Sequence, residues 1–492
     1  MIPPIEQELS LQLRAGFRLI ALESLEEERA LRMLERCARR AERELHTWSL
    51  ATGFGGDGGG AGSFDAAVRA FEAREAPAIF VIVDAHAVLG DPVGVRRLRD
   101  VLPRLAERRQ LVVLLGPLID LPLELEREAA RLSLPLPGAD ELRSMFERVV
   151  SNVPNTEADS SLLDDCVRAA LGLTSGEAVR AFRKAWLSTG SLSPDAVAVL
   201  AGEKRKALHR ISALTFHDGP ADLASVGGLG ELKNWLRERR RAFGQEARDF
   251  GLPSPRGLLL LGVQGCGKSL CAKAVAAEWR FPLLRLDLAA AFSDPARSPE
   301  LTIREATAVA ESLAPVVVWI DEIEKGFAVS DRDPGASRVF GTFLTWLAEK
   351  QAPVFVVATA NDVTALPPEL LRRGRFDDLF FVDLPTEDER AEILAIHLVK
   401  RGRDPKQYPL ADLAARALHH SGAELEQVVA AALYAAFAED RELSDTDLAE
   451  AIQDTVPLYE TYEERIKELR NWARHRARPA TLDGKVVSWF QE

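Results

Sequence analysis

The stretch "LLLLGVQGCGKSL", residues 258–270, decides the fold. Its leucines read as a buried strand, and "CAKAVAAEW" (271–279) behind it reads as a helix. Between the two, Gly262, Gly267, Lys268 and Ser269 fit G-x-x-x-x-G-K-[ST] without a mismatch. The chemistry requires these residue types. Glycines open backbone conformations closed to other residues, so successive N–H groups can turn inward on a phosphate. Val263, Gly265 and Cys266 complete that loop, with Leu270 just beyond it. Lys268 would reach the terminal phosphates, Ser269 would ligate Mg²⁺, and the helix adds a positive N-terminal dipole. ATP and Mg²⁺ are the implied cofactors.

Downstream, "VVVWIDE" (316–322) is a second apolar strand delivering Asp321 to the metal and Glu322 beside it. A carboxylate one residue past the metal ligand can polarise an attacking water. A third strand, "VFVVATAN" (354–361), ends in Asn361, placed to orient that water. Then "ELLRRGRFD" (369–377) carries Arg372 and Arg375. Such arginines are expected to serve the ATP of a neighbouring subunit, an effect worth roughly 10³–10⁵ in rate.

The order GVQGCGKS, WIDE, ATAN, LLRRGRFD resembles the AAA+ ATPases, and within them the clade with paired trans-acting arginines. "DLASVGGLGELKNWL" (222–236) resembles the family's opening segment, which implies that Val226 and Gly227 lie against adenine. "HHSGAELEQVVAAAL" (419–433) resembles its helical lid, which implies Gly422 and Ala423 near the nucleotide. The implied fold is α/β: a P-loop NTPase with a parallel sheet flanked by helices and capped by a helical lid.

An earlier stretch, "PAIFVIVDAHAVL" (77–89), ends a strand in Asp84 but follows it with Ala85. Residues 76–137 repeat the element order of 314–385, and "LGLTSGEAVRAFRKAW" (171–186) echoes the lid. A tandem is therefore expected, its first member a degenerate AAA-like α/β domain without a phosphate loop. There Asp84 stands for the metal-binding Asp without a metal, and Gly116-Pro117 replaces the water-orienting Asn. The glycine-rich "GFGGDGGGAG" (53–62) lacks Lys-Ser/Thr and reads as a loop. The expected boundaries are 1–150 for the degenerate domain and 151–215 for a lid-like linker. The ATPase domain is expected over 216–385, its lid over 386–455 and a helical tail over 456–492. Across its length the chain resembles the plastid and cyanobacterial "hypothetical chloroplast reading frame" (Ycf-type) AAA family.

One departure concerns the loop that lines the pore in protein-threading relatives. Here it reads "LAAAFSDPARSPELTIRE" (288–305), with Phe292 its one aromatic and Pro295, Ala296 and Arg297 where an apolar-Gly grip is expected. This counts against polypeptide threading.

Composition bounds the setting. Hydrophobic residues are 47% of the chain and aromatics only 7%, which implies an aliphatic, Ala-rich core. Four cysteines without metal-ligand spacing read as reduced thiols, and Cys266 reads as a small residue tolerated in the phosphate loop, a redox switch there being the lesser alternative. No run approaches a membrane span, and a cytoplasmic location is expected. A net charge of −13 disfavours general nucleic-acid coating, leaving the basic tail "RIKELRNWARHRARPA" (465–480) as the one candidate contact. The leading expectation is a nucleotide-dependent homo-hexamer remodelling a macromolecular partner. The alternatives are a slow nucleotide-gated binding protein and, less favoured, a nucleic-acid-associated ATPase.

Overall fold

The computed structural model describes residues 4–54, 62–151, 160–191, 193–208, 211, 213–217, 225–292, 298–330, 334–372 and 374–481. The chain divides into two compact units, Met1–Lys204 and Arg205–Glu492. Pro295, Ala296, Arg297, Arg373 and most of the glycine-rich 53–62 stretch lie outside the described residues.

The first unit contains six strands: β1 (Leu19–Glu23), β2 (Glu44–Ser49), β3 (Gly53–Phe54), β4 (Ala78–Ile82), β5 (Leu111–Gly116) and β6 (Ala129–Ser133). They lie in the order β3-β2-β4-β5-β1-β6, parallel except for β3 against β2. Side chains alternate across the sheet, so successive residues of one strand enter different cores. Leu19, Ala21, Phe80, Ile82, Val112 and Leu114 pack on one face with Phe71 and Leu98. Ile20, Leu22, Ile79, Val81, Val113 and Leu115 pack on the other with Met33 and Leu34. Both faces are covered by helices, which is why these strands read as unbroken apolar runs. Truncating Phe80, fully buried and stacked on Phe71 at 4.6 Å, would cost about 3–5 kcal/mol.

The second unit has β7 (Leu214–Phe216), β8 (Gly257–Gly262), β9 (Leu283–Leu286), β10 (Val316–Ile320), β11 (Val354–Ala360), β12 (Asp378–Val382) and β13 (Arg478–Pro479). Their order is β13-β12-β8-β11-β10-β9-β7, with β7 antiparallel at one edge. Strand for strand, β12-β8-β11-β10-β9-β7 repeats β6-β1-β5-β4-β2-β3, down to the antiparallel edge. Both units are therefore AAA-like, with mixed sheets where an all-parallel one was expected.

Four helices, Glu387–Lys400, Leu410–Arg416, Gly422–Ala438 and Asp445–Asp454, form a lid around Leu394, Leu398, Leu425, Val428 and Leu448. A further helix, Leu458–Ala473, returns the chain to the sheet, where β13 pairs with β12. Ala480 then donates its N–H to Phe381 O (3.0 Å) and accepts from Leu232 N (3.2 Å). The tail up to Thr481 is thus part of the ATPase unit. No helix among the described residues is long and apolar enough to cross a membrane.

Candidate functional site

The site starts where β8 stops. Gly262 has φ +146°, and a Cβ there would lie 1.9 Å from Val382 O on β12, so only glycine lets these strands close up. Gly265 (φ +80°) and Gly267 (φ +85°) then curl the loop Val263–Gly267 over the start of the helix Lys268–Trp279. The Lys268 side chain is buried. Its Nζ donates to Gly262 O (2.9 Å) and Val263 O (2.7 Å), and it has no ion pair among the described residues. Burial lowers its pKa, opposed by the carboxylates of Glu324, Asp321 and Glu322. A desolvated cation held on carbonyls alone is costly, which suits it to an incoming polyphosphate.

β10 and β11 bring the acids. Asp321 Oδ1 accepts from Ser269 Oγ and from Thr359 Oγ1, both at 2.7 Å. Thr359 Oγ1 in turn accepts from Glu322 N (2.9 Å), so one threonine fixes both acidic positions. Glu322 has φ +49°. Its Oε1 accepts from Asn361 Nδ2 (2.9 Å), while Lys325 pairs with Oε2. Asn361 is itself held, its N–H donating to Glu324 Oε1 at 2.9 Å. Glu324 is buried with Oε2 unpartnered, and burial raises its pKa.

The lid closes the opposite side. Gly265 O accepts from Ala423 N (3.0 Å) at the start of the helix Gly422–Ala438, which Ser421 and Glu424 cap reciprocally. At Gly227 a Cβ would lie 2.5 Å from Ile393 Cγ1, which packs the opening segment against the helix Glu387–Lys400. That helix presents Ile393, Ile396, His397 and Lys400 to the cleft. Burial lowers the pKa of His397 against the opposing charge of Glu426.

The result is a cleft of about 450 Å³, of the size and mixed polarity of a small-molecule site. Its lining includes Val226, Gly227, Gly265, Cys266, Gly267, Lys268, Ser269 and Leu270. Asp321, Glu322, Asn361, Gly422 and Ala423 complete the expected set on it. Gly262 and Val263 stand behind, supplying carbonyls to Lys268. Arg372 and Arg375 are not in the cleft. Arg372 is exposed and lies 3.7 Å from Glu369, whereas Arg375 has a buried, unpartnered Nη1. Burial pushes the Cys266 thiol up to about 12, which keeps it protonated and works against redox switching at neutral pH.

Sequence reading missed Thr359, Glu324 and the lid face. Signals existed for each. Thr359 lies two residues before Asn361, on the same side of β11. Ile393, Ile396, His397 and Lys400 have the i, i+3, i+4, i+7 spacing of one helix face.

The donor set fits Mg-ATP. Ser269 Oγ and Asp321 Oδ1 are hard oxygens brought to one point. The buried ammonium lies beside them, and Val226, Ile393 and Ile396 offer an apolar wall for a base.

The corresponding place in the first unit is built differently. Only Ser24–Glu26 join β1 to the helix Glu27–Arg40, three residues where the second unit has five. The expected equivalence of Asp84 with Asp321 is corrected by one residue. Asp84 (φ +51°) immediately precedes the helix Ala85–Val88, as Glu322 (φ +49°) precedes the helix Ile323–Ser330. Apolar Val83 therefore occupies the place of Asp321, the expected metal ligand.

Family models agree with this architecture. Residues 5–134 match the SpoVK-like AAA ATPase N-terminal domain, and 140–211 match its second domain. Residues 258–384 match the ATPase family associated with various cellular activities. The chain is 35% identical over 488 residues to the "Uncharacterized AAA domain-containing protein ycf46" of Pyropia yezoensis, covering 97% of this chain and 99% of that one. The ycf46 protein of Guillardia theta is 34% identical over 95% and 94% of the two chains. A more distant relative, the ATP-dependent zinc metalloprotease FtsH 3 of Sphaerobacter thermophilus, is 32% identical over 49% of this chain and 50% of its own. These full-length relatives bear the name of a chloroplast reading frame, and that finding overturns the expected cytoplasmic location. Matched over nearly the whole of both chains at 34–35% identity, the chain belongs to the ycf46 family of AAA domain-containing proteins.

Proposed function

We propose that the second unit binds and hydrolyses Mg-ATP in this cleft, and that the chain works as a nucleotide-dependent hexameric ring acting on a macromolecular partner. The observation carrying the reading is the linked set Ser269–Asp321–Thr359–Glu322–Asn361, which joins the phosphate loop to both acidic positions through hydrogen bonds of 2.7–2.9 Å. Magnesium, when bound, would supply positive charge at the phosphate oxygens. Lys268 and the loop N–H groups hold the phosphates. Glu322 orients the attacking water and takes its proton, and Asn361 fixes the direction of that carboxylate. Arg372 and Arg375, away from their own cleft, serve a neighbour's.

We further propose that the first unit takes no nucleotide. Its short loop places Glu26, a buried acid, where the phosphate loop would run. Glu26 accepts from Ser175 N at the start of the helix Ser175–Thr189 and pairs with Arg29 at 3.0 Å. A helix N-terminus and an arginine, both suited to a phosphate, are thus satisfied by the chain's own carboxylate.

The deciding test is the solution mass of the Glu322→Gln protein with and without Mg-ATP, beside an Arg372→Ala, Arg375→Ala version. A six-fold mass with ATP, weakened by the arginine changes, is expected. A monomer in every state would overturn the ring. Nucleotide stoichiometry of one per chain, abolished by Lys268→Ala, is expected from a silent first unit.

The second reading is a slow nucleotide-gated binding protein. It is favoured by the double engagement of Glu322, whose two oxygens are held by Asn361 and Lys325. On that reading Lys325→Ala accelerates turnover. The nucleic-acid reading loses support, because Arg465, Arg470 and Arg478 of the tail pair with Asp362, Asp383 and Asp378.

A further inference from the structure

The first unit has a second concavity, unrelated to nucleotide chemistry. It lies at the N-terminal ends of β1, β2 and β5, whereas the Ser24–Glu26 connection lies at the C-terminal end of β1. Its volume is about 850 Å³, within the range of ligand sites. In a chain of net charge −13, its lining carries four arginines (Arg14, Arg40, Arg43, Arg109) and two glutamates (Glu6, Glu42).

The charges do not cancel locally. Glu6 is buried and already held by Arg36 (2.6 Å) and Arg40 (2.7 Å). Arg14, Arg43 and Arg109 have no ion pair among the described residues. Arg43 is half-buried, and its Nε is enclosed without a hydrogen-bond partner. Burial, and then the charge of Arg109, lower the pKa of Arg43, so the two guanidinium groups repel one another. The helix Glu27–Arg40 ends at this cavity, and its C-terminal carbonyls offset about half a charge. That is too little for two guanidiniums. Beside them, Leu11 and Phe17 line the cavity and are left 56% and 45% exposed.

We propose that this cavity binds a small amphiphilic anion, its carboxylate or phosphate headgroup on Arg43 and Arg109 and its apolar body along Leu11 and Phe17. An enclosed guanidinium nitrogen without a partner, as at Arg43, is costly, and an anionic headgroup shared with the neighbouring Arg109 supplies the missing partner in the bidentate geometry that arginine favours. The apolar side chains at the rim give the ligand a body rather than a bare ion. The site is independent of the cleft in the second unit, so occupancy does not require ATP.

The test is calorimetric titration of the full-length protein with octyl phosphate, octanoate, octanol and inorganic phosphate. A Lys268→Ala background removes phosphate binding at the other unit. Expected are saturable one-to-one binding of octyl phosphate and octanoate, and none of octanol. Arg109→Gln and Arg43→Gln should each weaken the binding at least tenfold. Arg109 is exposed, so its variant keeps the proposal testable should Arg43→Gln unfold the unit. Absence of saturable binding, or equal affinity in the parent and Arg109→Gln proteins, overturns the proposal. Inorganic phosphate binding as tightly as octyl phosphate overturns the amphiphile assignment.

Discussion

Asn361 donates its side-chain amide to Glu322 Oε1 across 2.9 Å, although 39 residues separate them in the chain. The bond joins the loop after β11 to the loop after β10, and it holds the carboxylate proposed to handle water. Glu322→Gln is expected to keep nucleotide binding and lower kcat by about 10²–10⁴. Asn361→Ala is expected to lower kcat by roughly 10² through misplacement of the same carboxylate. Single-turnover ATPase rates beside nucleotide affinities check both. Equal losses in affinity and rate would refute the division of roles.

Two glycines of the phosphate loop separate strain from collision. Gly262→Ala and Gly267→Ala both place a side chain at positive φ, yet only the first meets backbone, at Val382 O. At Gly267 nothing lies within 4 Å of the added Cβ. Gly267→Ala should destabilise the unit by about 1–2 kcal/mol, and Gly262→Ala by roughly 3–4 kcal/mol with loosened pairing of β8 with β12. Hydrogen exchange along β8 reads the difference.

The tail is held by a two-pronged ion pair. Arg470 Nε and Nη2 reach the carboxylate of Asp383 at 2.8–3.1 Å, just beyond β12. Both side chains are about three-quarters enclosed, so solvent screens the pair only in part. Arg470→Met should cost about 1–2 kcal/mol, most of it shared with Asp383→Asn in a double-mutant cycle. Additive losses in urea unfolding would mean that the two residues act separately.

Lys350 gives the second unit a pH dependence. Burial lowers its pKa to about 8, and Nζ donates to Val354 O. Between about pH 8 and the ordinary value of 10.5 the unfolded chain therefore binds more protons than the folded one. Stability should rise with pH across that window, by about 3 kcal/mol from this group, and should be insensitive to it below pH 8. Subtracting the Lys350→Met stability curve isolates the contribution. A difference that is flat from pH 8 to 10 would refute it.

Much of the catalytic half was legible because its determinants are short-ranged. Gly262, Gly265, Gly267, Lys268 and Ser269 are set by a loop geometry that few residue types tolerate. Asp321, Glu322 and Asn361 follow from where apolar strands end. The tandem was legible as a rhythm of elements, and the two sheets repeat it in strand order. Its register was not. Periodicity locates a strand but leaves its last residue open, so Asp84 was matched to Asp321 when its backbone matches Glu322.

The chain's own residue order was enough for the class of chemistry, since each phosphate-loop and acid motif occupies a few consecutive positions. Three-dimensional packing alone decided what surrounds them. Glu26 reaches Ser175 across 149 residues, and Arg465 reaches Asp362 across 103. It also brought Arg43 and Arg109 to one cavity, with no ion pair to either among the described residues. Such pairings depend on how distant elements stack, and no local propensity or motif spacing encodes that.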